Sequence, residues 1–297
     1  LAVLDVALVG TALKSTSTSP VEADPTSAAA PAPVSNAPSP SATAGAGKAI
    51  DARGPLQTML VARDSQRAWR VGAGSCTAGG GTVLSTVDGG KSWTKGETKL
   101  RRIVRVQPAD NGAAFVIGAN SSCAAELKDT TDGGVTWAGG GNVGRAWFRD
   151  PGNPMVLQAP GPTTSKPCGR RPVLDLAVLA TGAARVLCGD GVIRSTTQGG
   201  SAWTVVGTVG GAVALAVPAL SSTQTYVARL GDPSCAGVQI MRVRRRVALS
   251  CIRTSIPMGA GQIALSVTDG GGWLAVGKMT MRSTDGLLTW KVSSRDL

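Results

Sequence analysis

Four short segments of the chain repeat one another: TVDGGKSW (86–93), TTDGGVTW (130–137), TTQGGSAW (196–203) and STDGLLTW (283–290). Each reads Ser or Thr, any residue, Asp or Gln, Gly, a second Gly in three of the four, then Trp at the eighth position. The closing tryptophans, Trp93, Trp137, Trp203 and Trp290, stand 44, 66 and 87 residues apart. Those spacings are close to one, one and a half and two units of 44. A unit of that size with several short strands predicts radial repetition of small sheets, a β-propeller.

The residues ahead of the boxes repeat as well. RAWRVGA (67–73), AAFVIGA (113–119), ARVLCGD (184–190), TYVARLGD (225–232) and GWLAVGK (272–278) are short apolar runs that end in Gly. A second run then enters the box, as in GTVLST, AELKDT, GVIRST and TMRST. Alternation is imperfect, as strands covered on both faces require, and no segment combines helical periodicity with caps. Counting flanks predicts about six four-stranded blades, at 55–97, 98–142, 143–172, 173–206, 207–258 and 259–297. The third and fifth lack a box, and the shortness of the third leaves five to seven blades open.

These boxes resemble the Asp-box, or BNR repeat, of sialidases and related β-propellers. The resemblance implies that each box is a hairpin turn between the two outer strands of a blade. An Asp carboxylate there can accept N–H bonds from the turn, glycines supply positive φ, and the Trp packs into the blade interface. Asp88, Asp132 and Asp285 are thus expected to staple turns, with Gln198 accepting bonds through a neutral amide at the equivalent position. GWLAVG-like strands followed by RSTDGG-like boxes look most like the photosystem II stability/assembly factor group. That likeness implies a propeller that binds a protein client without turnover.

Composition narrows the chemistry. The 297 residues contain no His, only three Glu (Glu22, Glu97, Glu126) and one Tyr, with a formal charge of +12. Histidine-based triads, HExxH zinc sites and histidine switches are excluded. Six cysteines, Cys76, Cys123, Cys168, Cys188, Cys235 and Cys251, form no CxxC pair, so neither a metal nor a cofactor is expected. An even count suits disulfides and an oxidising compartment; six buried thiols in a cytosolic protein is the alternative. Any of fifteen pairings is open, with Cys235–Cys251 and Cys168–Cys188 nearest in sequence.

Residues 1–13 (LAVLDVALVGTAL) are apolar apart from Asp5. As a helix they would reach about 20 Å, short of a bilayer core of roughly 30 Å. They read as a signal-peptide remnant or clipped membrane anchor, or else as a short amphipathic helix on the domain. Residues 14–47, rich in Pro, Ala, Ser and Thr, read as a disordered linker, and 48–297 as the propeller. The expected location is extracytoplasmic, secreted or held at the outer face of the membrane.

Two functions are weighed. A sialidase-like glycoside hydrolase needs a Tyr nucleophile paired with Glu, an acid/base Asp and an arginine triad. Tyr226 and Glu126 can be named for that pair, but no arginine triad or entry motif is present. A non-enzymatic binding or assembly scaffold has more support, because basic residues cluster in LRRIVRV (Arg101, Arg102, Arg105), CGRR (Arg170, Arg171) and MRVRRRV (241–247). Strand alternation in the last would align Arg242, Arg244 and Arg246 on one face, with Arg245 stranded among Met241, Val243 and Val247. Such a row can hold carboxylate or phosphate, or simply guard a strand edge. An extracytoplasmic protein, an acidic polymer or an anionic lipid surface is the expected partner. Nucleic acid is not, given the compartment and the scarcity of stacking aromatics.

Overall fold

The computed structural model describes residues 56–109, 111–218, 223–254 and 260–297. The segments 1–13 and 14–47 therefore lie outside the described residues. Six antiparallel sheets follow one another along the chain, each a meander in which successive strands pair. Blade 1 holds β1 (Thr58–Ala62), β2 (Ala68–Gly72), β3 (Thr82–Thr86) and β4 (Thr94–Gly96). Blade 2 holds β5 (Arg102–Pro108), β6 (Ala114–Ala119), β7 (Ala125–Thr130) and β8 (Ala138–Gly139). Blade 3 holds β9 (Phe148–Arg149), β10 (Leu157–Gln158) and β11 (Thr164–Ser165). Blade 4 holds β12 (Val173–Ala180), β13 (Ala183–Cys188), β14 (Val192–Thr196) and β15 (Thr204–Thr208). Blade 5 holds β16 (Ala212–Ala216), β17 (Tyr226–Arg229), β18 (Gly237–Arg242) and β19 (Val247–Arg253). Blade 6 holds β20 (Ile263–Thr268), β21 (Gly271–Val276), β22 (Met279–Ser283) and β23 (Lys291–Ser294). Two short 3₁₀ turns, Val143–Arg145 and Ala260–Gln262, are the helical elements among the described residues. No helix there is long and apolar enough to cross a membrane.

The third blade departs from the expected four strands. It has three, each of two residues. Its segment 143–172 contains Pro151, Pro154, Pro160, Pro162, Pro167 and Pro172, and each proline removes a ladder donor. Packing and a cross-link make up for the missing ladder. Trp147 and Leu157 are fully buried in a cluster with Val173 and Val186 of blade 4, and Cys168 is bonded to Cys188 across the two blades.

The core lies between blades. The second strands, which are the Gly-terminated flanks of the repeat, are almost wholly buried. Each repeat turn joins a third strand to a fourth, and its Trp turns toward the preceding blade. Trp93 meets Trp273 of blade 6 edge-on at 6.1 Å, and Trp203 meets Trp147 of blade 3 in the same way. Trp137 packs on the cluster around Trp69 and Val83 of blade 1. The Trp290 indole N–H donates to Ser250 Oγ of blade 5 at 2.9 Å.

Among the described residues, ring closure uses no shared strand. β1 begins blade 1 and β23 ends blade 6, so the seam is face-to-face packing stitched by side chains. Arg70, buried in β2, donates to Thr280 Oγ1 at 2.5 Å and to the carbonyls of Gly277 and Lys278; burial lowers its pKa to about 10. The Trp273 indole donates to Asp64 O, Arg282 to Ser65 O, and Ala62 N to Ser266 Oγ.

Candidate functional site

Three of the repeat turns share one hydrogen-bond pattern. In the second, Thr130 Oγ1 donates to Asp132 Oδ1 (2.7 Å) and accepts from Gly134 N (3.1 Å). Asp132 also accepts from the backbone N–H groups of Val135 and Thr136 and from the Thr136 hydroxyl. Asp88 and Asp285 are held by equivalent sets, closing on Ser92 and Thr289. These donors favour the ionised form, so Asp88 and Asp132 titrate well below the usual carboxylate range and Asp285 at about 2. Every carboxylate lone pair aimed at the turn is engaged, an arrangement of structure rather than of acid/base chemistry.

The third turn differs from expectation. Among the described residues, the Gln198 side-chain amide accepts none of the turn's N–H groups; its backbone carbonyl takes the Ser201 hydroxyl at 2.8 Å instead. The Thr196 hydroxyl still holds Gly200 N at 3.3 Å and the Trp203 indole still donates to Gly200 O. A Gln side chain is one methylene longer than that of Asp, a poor match for a turn shaped to the shorter carboxylate.

The cysteines pair as Cys76–Cys123, Cys168–Cys188 and Cys235–Cys251. The first joins blades 1 and 2, the second blades 3 and 4, and the third lies within blade 5. Cys76, Cys123 and Cys235 lie between second and third strands, Cys168 precedes blade 4, Cys188 ends β13 and Cys251 lies within β19.

The eight arginines expected to form a binding surface do not converge. Arg101 donates to the Cys76 and Thr77 carbonyls, and Arg102 donates to Pro151 O at 2.6 Å; both tie neighbouring blades. Arg170 and Arg171 are exposed beside Cys168. The row expected of Arg242, Arg244 and Arg246 does not exist, because the strand ends at Arg242 and residues 243–246 are a turn. Arg242 lies over the Tyr226 ring at 5.6 Å, while Arg244, Arg245 and Arg246 are exposed at the hairpin tip. Arg245 therefore has an exit to solvent. Tyr226 and Glu126 are not brought together either. Tyr226 donates to Gln224 within blade 5, Glu126 pairs with Lys128 in blade 2, and those blades stand opposite each other in the ring.

Arg105 alone of the eight enters the central channel, where it meets two residues that sequence reasoning missed, Arg149 and Asp175. The channel contains a cavity of about 650 Å³ lined by the innermost strands. Four arginines and two aspartates line it, and two of these, Arg67 and Asp64, pair at 2.8 Å near the end of β1. Deeper in, a bulge interrupts β5 between Ile103 and Arg105, and another interrupts β12 between Val173 and Asp175. Such bulges twist a strand and re-aim its side chains. Arg149, from β9, donates to the carbonyl of Leu174, the extra residue of the second bulge. Asp175 accepts from Leu176 N and from Leu215 N on β16, both at 2.8 Å, so it bridges the inner strands of blades 4 and 5.

The electrostatics of this cluster are unbalanced. Arg105 and Arg149 are 9 % and 6 % exposed. Burial, with the Arg149 charge nearby, lowers the Arg105 pKa to about 10; burial also lowers that of Arg149. Asp175 is pushed up by burial, against the opposing pull of Arg149 and of its backbone N–H partners. Arg105 donates to Gln107, yet the Nε–H groups of Arg102, Arg105 and Arg149 are buried without an acceptor among the described residues. Two buried guanidinium groups thus face one carboxylate, with donors to spare. A charged residue inside an apolar run (FRD, VLDLAV) was the available signal. It was silent because a sequence does not say which run lies innermost.

Fold and channel together define a six-bladed β-propeller with a basic central cavity. Among solved structures the chain is similar to YCF48 bound to D1 peptide, at 14% identity and TM-score 0.39 over 81% of this chain and 83% of that one. It is also similar to YCF48 from Cyanidioschyzon merolae, at 16% identity and TM-score 0.40 over 80% and 86%. A GH74 xyloglucanase from Xanthomonas campestris matches at 14% identity and TM-score 0.32 over 82% of this chain and 38% of that enzyme. No family model and no curated protein matches the chain. Likenesses this distant carry nothing about chemistry, which rests on the residues themselves.

Proposed function

We propose that the protein is a non-enzymatic binding scaffold whose central channel receives an anionic group, a carboxylate-bearing segment of a client protein or of an acidic polymer. The observation that carries this reading is the pair of buried guanidinium groups, Arg105 and Arg149, opposite a single Asp175 with Nε–H donors unmatched. Two guanidinium groups on the cavity wall opposite one carboxylate leave a positive charge, and an incoming carboxylate would balance it. The four repeat turns are read as Asp-boxes that fix the blades around this channel. Three disulfides suit an extracytoplasmic location, with residues 1–13 as export signal or membrane anchor.

Titration calorimetry with a triglutamate peptide tests the reading. Binding is expected at low ionic strength, weakening with salt and lost in Arg105→Gln/Arg149→Gln. Unchanged binding by that variant would overturn the channel as the site. Turnover of any member of a fluorogenic glycoside panel, sialosides included, would overturn the non-enzymatic role.

A further inference from the structure

A second basic feature lies away from the channel, at the outer edge of blade 5. From residue 233 to residue 268 the chain contains no Asp or Glu, yet it carries Arg242, Arg244, Arg245, Arg246 and Arg253. This stretch builds the β18–β19 hairpin. β19 is seven residues long, against two to five for the outermost strands of the other blades. It is the last strand of its sheet, so one row of its backbone N–H and C=O groups faces outward without a ladder partner. Trp290 of blade 6 covers it at Ser250, and Cys235–Cys251 anchors it from within the blade. The strand is therefore fixed in place while its edge stays open.

Charge brackets that edge. Arg244, Arg245 and Arg246 are exposed at its start and Arg253 is exposed at its end, none in an ion pair among the described residues. Arg246 has φ of 49°, a left-handed position that Gly or Asn would occupy with less strain. Next to it, Val247 is 43 % exposed, and Val205 and Val206 of the adjacent outer strand β15 are 58 % and 42 % exposed. Blade 4 carries Gln198 in place of the repeat's Asp, so no turn carboxylate offsets the arginines in this sector. The Val243 side chain at the root of the tip lies close to Gly207 in β15.

We propose that β19 is a docking edge for an extended acidic segment of a partner protein, which adds to blade 5 as a fifth strand. Main-chain pairing to the open edge would supply affinity, and acidic side chains meeting Arg244–Arg246 and Arg253 would set register and choice of partner. The exposed valines would receive apolar side chains at alternate positions. Edge pairing, rather than a diffuse charged surface, is favoured because the charges sit at the two ends of the longest open strand. This site is independent of the channel.

The test uses the full chain and a fluorescent eight-residue peptide of alternating Glu and Val, with an analogue N-methylated at alternate residues. The parent peptide is expected to bind by anisotropy, to weaken about tenfold between low and moderate salt, and to slow amide exchange in 247–253. Arg244→Ser/Arg245→Ser/Arg246→Ser is expected to weaken binding at least about tenfold. The N-methylated analogue, which keeps every charge but cannot complete a ladder, should bind as poorly to the unaltered protein, so the test stands even if the variant folds badly. Equal binding of the two peptides, or protection of the channel strands in place of β19, would overturn the proposal. So would phosphatidylglycerol vesicles retaining the protein while the peptide does not bind, which marks a lipid surface. Self-association of the triple variant, with no peptide binding by the unaltered protein, would reduce the arginines to guards of the edge and equally overturn it. Slowed amide exchange in 247–253 on adding this peptide should persist in Arg105→Gln/Arg149→Gln, whose channel site is disabled, which separates the outcome from that of the channel.

Discussion

The repeat turns and the channel both rest on charged side chains, and they treat them in opposite ways. At the turns, Asp88, Asp132 and Asp285 lie at the surface with their oxygens engaged by neighbouring hydroxyl and backbone N–H groups. In the channel, Arg105 and Arg149 are buried and keep donors that nothing accepts. The turn charges are balanced by donors within the chain, whereas the two channel guanidinium groups face a single carboxylate, Asp175, across the cavity. Substitutions in the two regions should therefore separate stability from binding.

The largest effect is expected in the channel. Arg105→Gln/Arg149→Gln should weaken triglutamate binding by about 100-fold, since a lost buried charge pair costs about 2–5 kcal/mol. Thermal unfolding of the same variant should change little or rise, because two buried like charges are removed. If the variant instead unfolded at room temperature, the channel arginines would belong with the structural charges.

The converse substitution, Asp132→Ala, should leave peptide affinity unaltered and lower the thermal midpoint by about 3–5 °C in calorimetry. Acid should act on the same side of the comparison. The turn carboxylates have folded pKa values below their unfolded value of 3.8, so their contribution is complete above about pH 4. It is lost as pH falls from there toward about 2, where Asp285 titrates. Asp175 has the opposite sign: its pKa is raised in the fold, so taking up its proton on acidification favours the folded state. Unfolding followed by circular dichroism between pH 5 and pH 2 should lose part of its acid dependence in Asp88→Asn/Asp132→Asn/Asp285→Asn. The smallest effect is the repair of the odd turn: Gln198→Asp should raise the thermal midpoint by about 2 °C at neutral pH and add to the acid-labile portion.

Blade number was legible because Gly-terminated flanks and Trp-terminated turns recur wherever second and third strands recur, although the expected boundary at 206 cuts β15, which runs to Thr208. The repeat predicts four strands for 143–172, and the prolines there account for the missing one. MRVRRRV misled because its alternation fits a strand, whereas Val243–Arg246 turns without a glycine and places Arg246 at positive φ. The channel was nearly invisible. Arg149 belongs to a two-residue strand, and Asp175 depends on a bulge that no local pattern announces.

The seam between blades 1 and 6 also bears on how the molecule is made. Every sheet is assembled from residues adjacent in sequence, so each blade can form as soon as its own strands are free to pair, and such local contacts favour fast folding. Blade 1, however, must wait with Trp93 and Arg70 unmatched until Trp273 and Thr280 have been synthesised, some two hundred residues later. Vectorial folding therefore ends with a single docking of two finished sheets. Because the chain does not run directly across that joint as it does between the other neighbouring blades, it is where the circle should part first under force or denaturant.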